Sequence, residues 1–154
     1  MINATFRRIA CASIALCATA MFQVAHAELG GTATFTQPAN KTIQPVEQTG
    51  LFRVRSTIDD GGTTINEYAS TSGQVFGYTW QGPTMPDLQT LLGKYYDSYR
   101  VGATPDATTP RNLHASRVTR PDVIVESGGQ MRSYAGRAWL PGALPAGVFP
   151  DDLR

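Results

Sequence analysis

Alternating apolar and polar residues in the middle of the chain predict a run of antiparallel β-strands. LFRVRSTI (residues 51–58) alternates over its length, and the Asp-Asp-Gly-Gly that follows predicts a hairpin turn. TTINEYAS (63–70) reads as the returning strand. After a Thr-Ser-Gly turn, QVFGYTW (74–80) reads as a third strand. The pattern therefore predicts a three-stranded meander.

A helix is predicted over residues 86–99, where large side chains recur on one stripe. Thr84 and Asp87 resemble a capping box, and Pro86 suits the first helical turn. The stripe consists of Leu88, Leu91, Leu92, Tyr95 and Tyr99. A helix with this stripe would pack one face against the sheet.

A second hairpin is predicted beyond a Pro-, Thr- and Arg-rich connection at residues 101–121. DVIVES (122–127) and QMRSYAGRAWL (130–140) read as its strands, joined through Gly128-Gly129. The proline-punctuated tail, 141–154, is expected to be irregular. The expected fold class is α+β, an antiparallel sheet of about five strands (three-stranded meander, helix, second hairpin) with one main helix packed on it.

Short turns would set a register in which Glu67 lies opposite Val54 on one neighbouring strand and Gly77 on the other. One sheet face would carry Phe52, Val54, Ile65, Val75 and Glu67; the other would carry Tyr68, Phe76, Tyr78 and Trp80, near Arg53 and Arg55. Because both faces are apolar, the tail, the N-terminal arm, a second copy or a ligand must help the helix to cover them. A slip of one residue would reverse these assignments.

The first residues predict export. Arg7 and Arg8 precede an apolar run that closes with Ala25-His26-Ala27, the pattern of a signal peptide cleaved after Ala27. The run is too short for a stable membrane span. We expect three parts, namely a cleaved signal peptide (1–27), an extended arm (28–50), part of which could pair as an edge strand, and a single domain (51–154). The mature protein would be periplasmic or secreted.

Cleavage changes the composition of the chain in two ways. Both cysteines, Cys11 and Cys17, are lost, so the mature domain has no disulfide or thiolate ligand. Of the 13 basic residues, Arg7 and Arg8 are lost, which leaves 11 against 12 acidic residues and a net charge of −1. This balance argues against nucleic-acid binding. We also expect no metal site and no cofactor.

Few groups suit catalysis. His114 would be the remaining histidine, and it lies in the Pro-rich connection without the Gly-x-Ser-x-Gly motif of a serine hydrolase. Glu67 and Glu126 are candidate catalytic carboxylates, since paired carboxylates hydrolyse glycosidic bonds. The favoured alternative is that Glu67 pairs with an arginine such as Arg132 or Arg137.

Aromatic and arginine side chains are the candidate binding groups. An exposed aromatic row could stack on sugar rings or hold an extended peptide, although aromatic strand residues opposite a helix are more often core. The candidate binding residues are Arg53, Tyr68, Tyr78, Trp80, Tyr96 and Arg132. An envelope protein or a glycan would be the partner, and self-association through an exposed sheet face is a third option.

Six sequence blocks, in order, span nearly the whole chain beyond residue 27. They are Leu29-Gly30-Gly31, Glu67-Tyr68, Gly73-Gln74-Val75-Phe76, WQGPTMPDLQTLLGKYY, VESGGQMR and GRAWLPGALPAGVFPDDLR. With these blocks the chain resembles the exported bacterial proteins grouped as domain of unknown function 2844. Gln130 stands where relatives often carry His, which argues against a histidine site there. The resemblance implies export and a small single domain, and it supplies no activity, cofactor or site.

The residues and the resemblance together lead to one functional expectation and one alternative. We expect a non-catalytic binding or scaffolding domain of the bacterial cell envelope. The alternative is a small glycan- or peptide-directed hydrolase that uses Glu67 and Glu126.

Overall fold

The computed structural model describes residues 27–33, 47–104 and 115–154. Residues 1–26 of the predicted signal peptide, and His114, lie outside the described residues. None of the helices in the described ranges is long and apolar enough to cross a membrane.

Seven strands and two short helices make up the described fold. The strands are β1 (Glu47–Thr49), β2 (Phe52–Ile58), β3 (Thr64–Ser70), β4 (Val75–Gly82), β5 (Ala115–Thr119), β6 (Ile124–Gln130) and β7 (Ser133–Trp139). The helices are α1 (Leu88–Leu92) and α2 (Tyr96–Ala103), joined by the 3₁₀ turn Gly93–Tyr95. The strands form one antiparallel sheet in the order β1-β2-β3-β4-β7-β6-β5. The α+β class is therefore confirmed.

The sheet is larger than the five strands expected. β1 comes from the segment predicted as an arm, so the edge-strand alternative is correct for its last residues. β5 comes from the segment predicted as a connection. Only Val118 is buried in β5, which is an edge strand and therefore needs little apolar sequence.

The turn of the second hairpin also differs from the prediction. β6 continues through Gly128-Gly129 to Gln130, and the chain turns at Met131 and Arg132, where Arg132 has φ 63°. A Cβ on Gly129 would lie 2.7 Å from the Ser133 carbonyl oxygen. This glycine is thus required by the close approach of β7 rather than by a turn.

The predicted single helix is interrupted. Gly93, with φ 51°, ends α1, and a 3₁₀ turn leads into α2. The N-cap is Asp87 rather than Thr84, because the Asp87 carboxylate accepts from the backbone N–H groups of Gln89 at 2.9 Å and Thr90 at 3.3 Å. Thr84 instead lies 2.9 Å from the Thr63 hydroxyl, where it helps to close the first hairpin.

The register differs by one residue from the prediction. Glu67 lies opposite Arg55 on β2 and Tyr78 on β4, rather than opposite Val54 and Gly77. The first hairpin has a five-residue loop between Ile58 and Thr64, longer than the tight turn expected. Phe52 and Val54 consequently lie on the opposite sheet face from Glu67.

Each sheet face is covered by a different end of the chain. The helix face packs against α1, α2 and residues 27–33; its core consists of Leu29, Ile65, Val75, Tyr78, Trp80, Leu91, Leu92, Val125 and Ala138, with smaller contributions around them. The tail face packs against residues 141–154, with Tyr68, Phe76, Trp139, Val148 and Leu153 buried there. Two of the coverings proposed from the sequence, the tail and the N-terminal segment, are therefore present.

Candidate binding groove

An open groove of about 910 Å³ lies on the tail face beside the end of the tail. Its floor consists of Thr64, Asn66, Thr79, Gln81 and Ala135, which alternate along β3, β4 and β7 with residues of the helix face. Leu153 and Arg154 form the wall at the tail, and β5 and β6 form the opposite wall. The groove exists because the tail covers only part of this face.

A cluster of ion pairs holds the β5–β6 wall. The Glu126 carboxylate contacts Arg117 Nη1 at 2.7 Å through Oε1 and Arg137 Nε at 2.6 Å through Oε2. Arg137 also donates from Nη1 to the Pro150 carbonyl oxygen at 2.7 Å, which links the wall to the tail. The hydrogen bond to Glu126 is the main cause that raises the pKa of Arg137, and Asp151 contributes less. Arg137 is therefore a fixed cation, whereas the Arg117 side chain is 61% exposed.

Hydrogen bonds fix the end of the tail on the groove floor. The Asn66 amide donates from Nδ2 to the Thr79 hydroxyl at 3.1 Å and to the Arg154 backbone oxygen at 3.2 Å. The Thr79 hydroxyl donates to the same oxygen at 3.3 Å, and the Tyr68 hydroxyl also donates to it. Ser56 donates to Asn66 Oδ1 at 2.6 Å, which orients the amide. The end of the tail is thus tied to β3 and β4.

A separate polar cluster is buried on the helix face. Glu67 is 1% exposed, and its Oε2 lies 2.8 Å from Arg55 Nη2 and 3.0 Å from the Tyr78 hydroxyl. Burial is the main cause that raises the pKa of Tyr78, and the Glu67 charge adds to it. Glu67 does pair with an arginine, as favoured from the sequence, but the arginine is Arg55 rather than Arg132 or Arg137.

The two candidate catalytic carboxylates lie on opposite sheet faces. Glu126 on β6 pairs with Arg137 on β7, which pairs with Thr79 on β4, and these three side chains lie on the tail face. Glu67 on β3 pairs with Tyr78 on β4, and both side chains lie on the helix face. Because successive side chains alternate across a sheet, these carboxylates cannot meet in one cleft.

The structure separates the predicted binding residues. Tyr68, Tyr78 and Trp80 are 3%, 0% and 2% exposed, so these aromatic side chains are core, which was the alternative to an exposed row that could stack on a ligand. The burial is caused by the helices on one face and the tail on the other. Tyr96 is half-buried, and its ring centroid lies 6.1 Å from that of Tyr99. Arg132 is exposed at the tip of the second hairpin.

Arg53, the remaining candidate, is half-buried on β2 beside Ala69, far along the sheet order from β5. None of the six predicted binding residues is exposed in the groove. Asn66, Thr79 and Gln81 were not identified as binding residues from the sequence. Polar residues at alternate positions of two otherwise apolar strands were the available signal, and a correct register would have brought Asn66 and Thr79 together.

In residues 27–33, 47–104 and 115–154, no three His, Cys, Asp or Glu side chains lie close enough together to bind a metal ion. The groove is instead lined by hydroxyl, amide and guanidinium groups. Such groups suit hydrogen bonding to a polar chain.

The described residues form a small α+β domain with an open polar groove on the tail face. A model of the family described as Protein of unknown function (DUF2844) matches residues 25–153. The chain belongs to this family, as its sequence blocks indicate. Comparisons with curated proteins and with solved structures give no match.

Proposed function

We propose that this protein is an exported, non-catalytic binding domain of the bacterial cell envelope, whose groove holds an extended, acidic segment of a partner protein. The observation that carries the proposal is the open groove of about 910 Å³ with a hydrogen-bonding floor and arginine side chains in its walls. The pattern of a signal peptide at residues 1–27 supports export.

The charges of the groove favour a ligand with carboxylates. Three arginines and one glutamate line it, namely Arg117, Arg137, Arg154 and Glu126. Arg137 is occupied by Glu126 and the tail, whereas Arg117 is the more exposed partner of Glu126. A guanidinium in this position can turn its remaining donors to an incoming carboxylate, which matches its planar geometry.

The floor favours a polypeptide over a glycan. The Thr64 hydroxyl and the Gln81 amide can donate to and accept from peptide groups. Among the described residues that line the groove, Trp80 is the one aromatic residue, and it is 2% exposed. A sugar ring would therefore find no aromatic face to stack on.

The arrangement of carboxylates supports binding rather than hydrolysis. Glu126 is engaged by two arginines through both of its oxygens, so neither oxygen is placed to take a proton from water. Glu67 is on the other side of the sheet. A two-carboxylate mechanism would need both groups around one bond.

Site-specific photo-cross-linking in living cells tests the proposal. A photoreactive amino acid would replace Gln81 on the groove floor, and the control would carry it at Met131, which is 92% exposed at the hairpin tip. We expect position 81 alone to capture an acidic, extended segment of one partner, identified by mass spectrometry of the cross-linked peptide. Identical products from both positions would refute the groove as the binding site.

Arginine variants test the charge argument. Arg117→Ala should weaken capture about tenfold, the effect of losing one charge-assisted hydrogen bond. Arg100→Ala on α2 is the matched control, since its side chain is 66% exposed, compared with 61% for Arg117. Equal capture by the two variants would contradict a role for Arg117, and recovery of only this protein itself would indicate self-association instead.

A further inference from the structure

Residues 27–33 are built into the fold rather than attached loosely to it. Leu29 is fully buried, and its backbone N–H donates to the Leu91 carbonyl oxygen at 2.9 Å. The Gly30 N–H donates to Val75 at 2.8 Å, and the Val75 N–H donates to Gly31 at 2.9 Å. These bonds position the chain at the predicted cleavage site, between Ala27 and Glu28, on the helix face.

The Ala27 carbonyl oxygen lies at the buried polar cluster. It accepts a hydrogen bond from the Tyr78 hydroxyl, which also lies 3.0 Å from Glu67 Oε2. A tyrosine hydroxyl has a single hydrogen and cannot donate to both oxygens. The uncleaved chain therefore places two acceptors around one donor.

One oxygen of the Glu67 carboxylate also lacks a hydrogen-bond donor. Its Oε1 atom is buried and has no hydrogen-bond partner among the described residues, although Arg55 and Tyr78 contact Oε2. A buried carboxylate oxygen without a donor is costly, because no water compensates for the solvation that it has lost. Glu67 Oε1 thus has room for one more hydrogen-bond donor.

We propose that this cluster is the binding site of the mature amino terminus, in which the α-ammonium group of Glu28 pairs with the Glu67 carboxylate. A signal peptidase would hydrolyse the Ala27–Glu28 peptide bond with one water molecule. The carboxylate that forms on Ala27 leaves with the signal peptide, and the ammonium group forms on Glu28. The proposal rests on the export step of the proposed function.

Peptide geometry places the new group correctly. The Glu28 nitrogen is bonded to the same carbon as the Ala27 oxygen, so the two atoms are separated by roughly 2.2 Å. Cleavage consequently replaces an acceptor beside Tyr78 by a group with three donors. Tyr78 can then donate to Glu67 while it accepts from the ammonium group, and a further ammonium hydrogen is available for Oε1.

The neighbouring charges suit a cation. Arg55 and the ammonium group would face the Glu67 carboxylate, and the Glu28 side chain is close enough for its negative charge to act on Tyr78. Arg53 lies two residues from Arg55 on the same face of β2. The Glu67 and Glu28 carboxylates would therefore balance the charges of Arg55 and the ammonium group. Arg53 would add one further positive charge.

The test uses the full chain, produced in bacteria with its own export signal and purified after export. Intact mass establishes the first residue, and limited acetylation at pH 7 measures the reactivity of the α-amine in the native protein and in urea. We expect Glu28 as the first residue and an amine about tenfold less reactive in the native protein, the effect of a one-unit rise in its pKa. Glu67→Gln should restore the reactivity, whereas Glu126→Gln, the control carboxylate on the other face, should not.

Several results would overturn the proposal. A different first residue, an amine as reactive in the native as in the unfolded protein, or slow acetylation that Glu67→Gln leaves unchanged would each do so. If Glu67→Gln loses the native circular dichroism spectrum, Tyr78→Phe is used instead: it removes one hydrogen-bond acceptor of the ammonium group and should raise the amine reactivity in part. An unchanged reactivity in that variant would overturn the proposal. Groove capture is measured separately through Arg117, so the two proposals can fail independently.

Discussion

Trp80 fits into the sheet only because the residue opposite it is glycine. Gly136 on β7 pairs with Trp80 on β4, and a Cβ at position 136 would lie 2.3 Å from Trp80 Cζ2 and 2.5 Å from Cε2. It would also lie 2.6 Å from the Glu126 carbonyl oxygen, whereas ordinary contacts are at 3.4–4 Å. Gly136→Ala should therefore force either the indole or the backbone of β6 to move.

The expected loss of stability in Gly136→Ala lies at the upper end of the range for overpacked cores. Inserting one methyl group into a packed core costs about 1–3 kcal/mol. Neither neighbour can yield easily here, since Trp80 is 2% exposed in the helix-face core and the third contact is with backbone. We expect a loss of about 3 kcal/mol in the free energy of unfolding, equivalent to a fall of about 10 °C in Tm for a domain of this size.

Urea unfolding, followed by tryptophan fluorescence and circular dichroism, measures this loss. Gly142→Ala is the control, because a Cβ there would have no atom within 4 Å, and its stability should stay within about 0.5 kcal/mol of the wild type. In a Trp80→Phe background, Gly136→Ala should cost at least about 1 kcal/mol less, since the clashing indole atoms are gone. Equal costs in both backgrounds would refute the steric explanation.

Two further predictions concern the helix start and the tail. Asp87→Ala should cost about 1 kcal/mol of stability by removing the N-cap of α1. Hydrogen bonds from Thr90 lower the pKa of Asp87, so its stabilisation of the fold is present above the unfolded pKa and is lost as pH falls through the folded pKa. Urea titrations should therefore show a smaller difference in stability between the wild type and Asp87→Ala at pH 3 than at pH 7. A constant difference would contradict this. Tyr68→Phe should loosen the tail without disturbing the core, because the Tyr68 hydroxyl bonds the backbone of Arg154. Hydrogen exchange should then accelerate at least about fivefold at the Leu153 and Arg154 amides, while the β3 amides keep their protection. Unchanged exchange at the tail would refute the role of the Tyr68 hydroxyl in holding it.

The alternation and the turns were sufficient to predict the fold class but not the register. β2, β3 and β4 lie where the pattern places them, and the α+β class follows from them. The register failed because the Asp-Asp-Gly-Gly segment belongs to a five-residue loop, and a β-bulge between Tyr68 and Ala69 shifts the next pair. Each irregularity moves side chains by one residue, which changes the face they occupy.

The groove could not be predicted because it depends on contacts between distant parts of the chain. β5 has one buried residue and gives almost no apolar signal, although it carries Arg117. The other wall exists only because Leu153 is buried against Tyr68 and Phe76, far away in the sequence. Local patterns contain no information on where an irregular tail will stop on a sheet.

The opposite ends of the described fold close the two sides of one sheet, and this has a consequence for when the protein can fold. Leu29 completes the helix face, while Val148 and Leu153 complete the tail face. A nascent chain that has not yet reached residue 148 leaves Phe76 and Trp139 without their covering, and contacts of such wide sequence separation form slowly. The complete sheet can therefore form only when residues 29 and 153 are both available, so its folding depends on contacts that span the described chain.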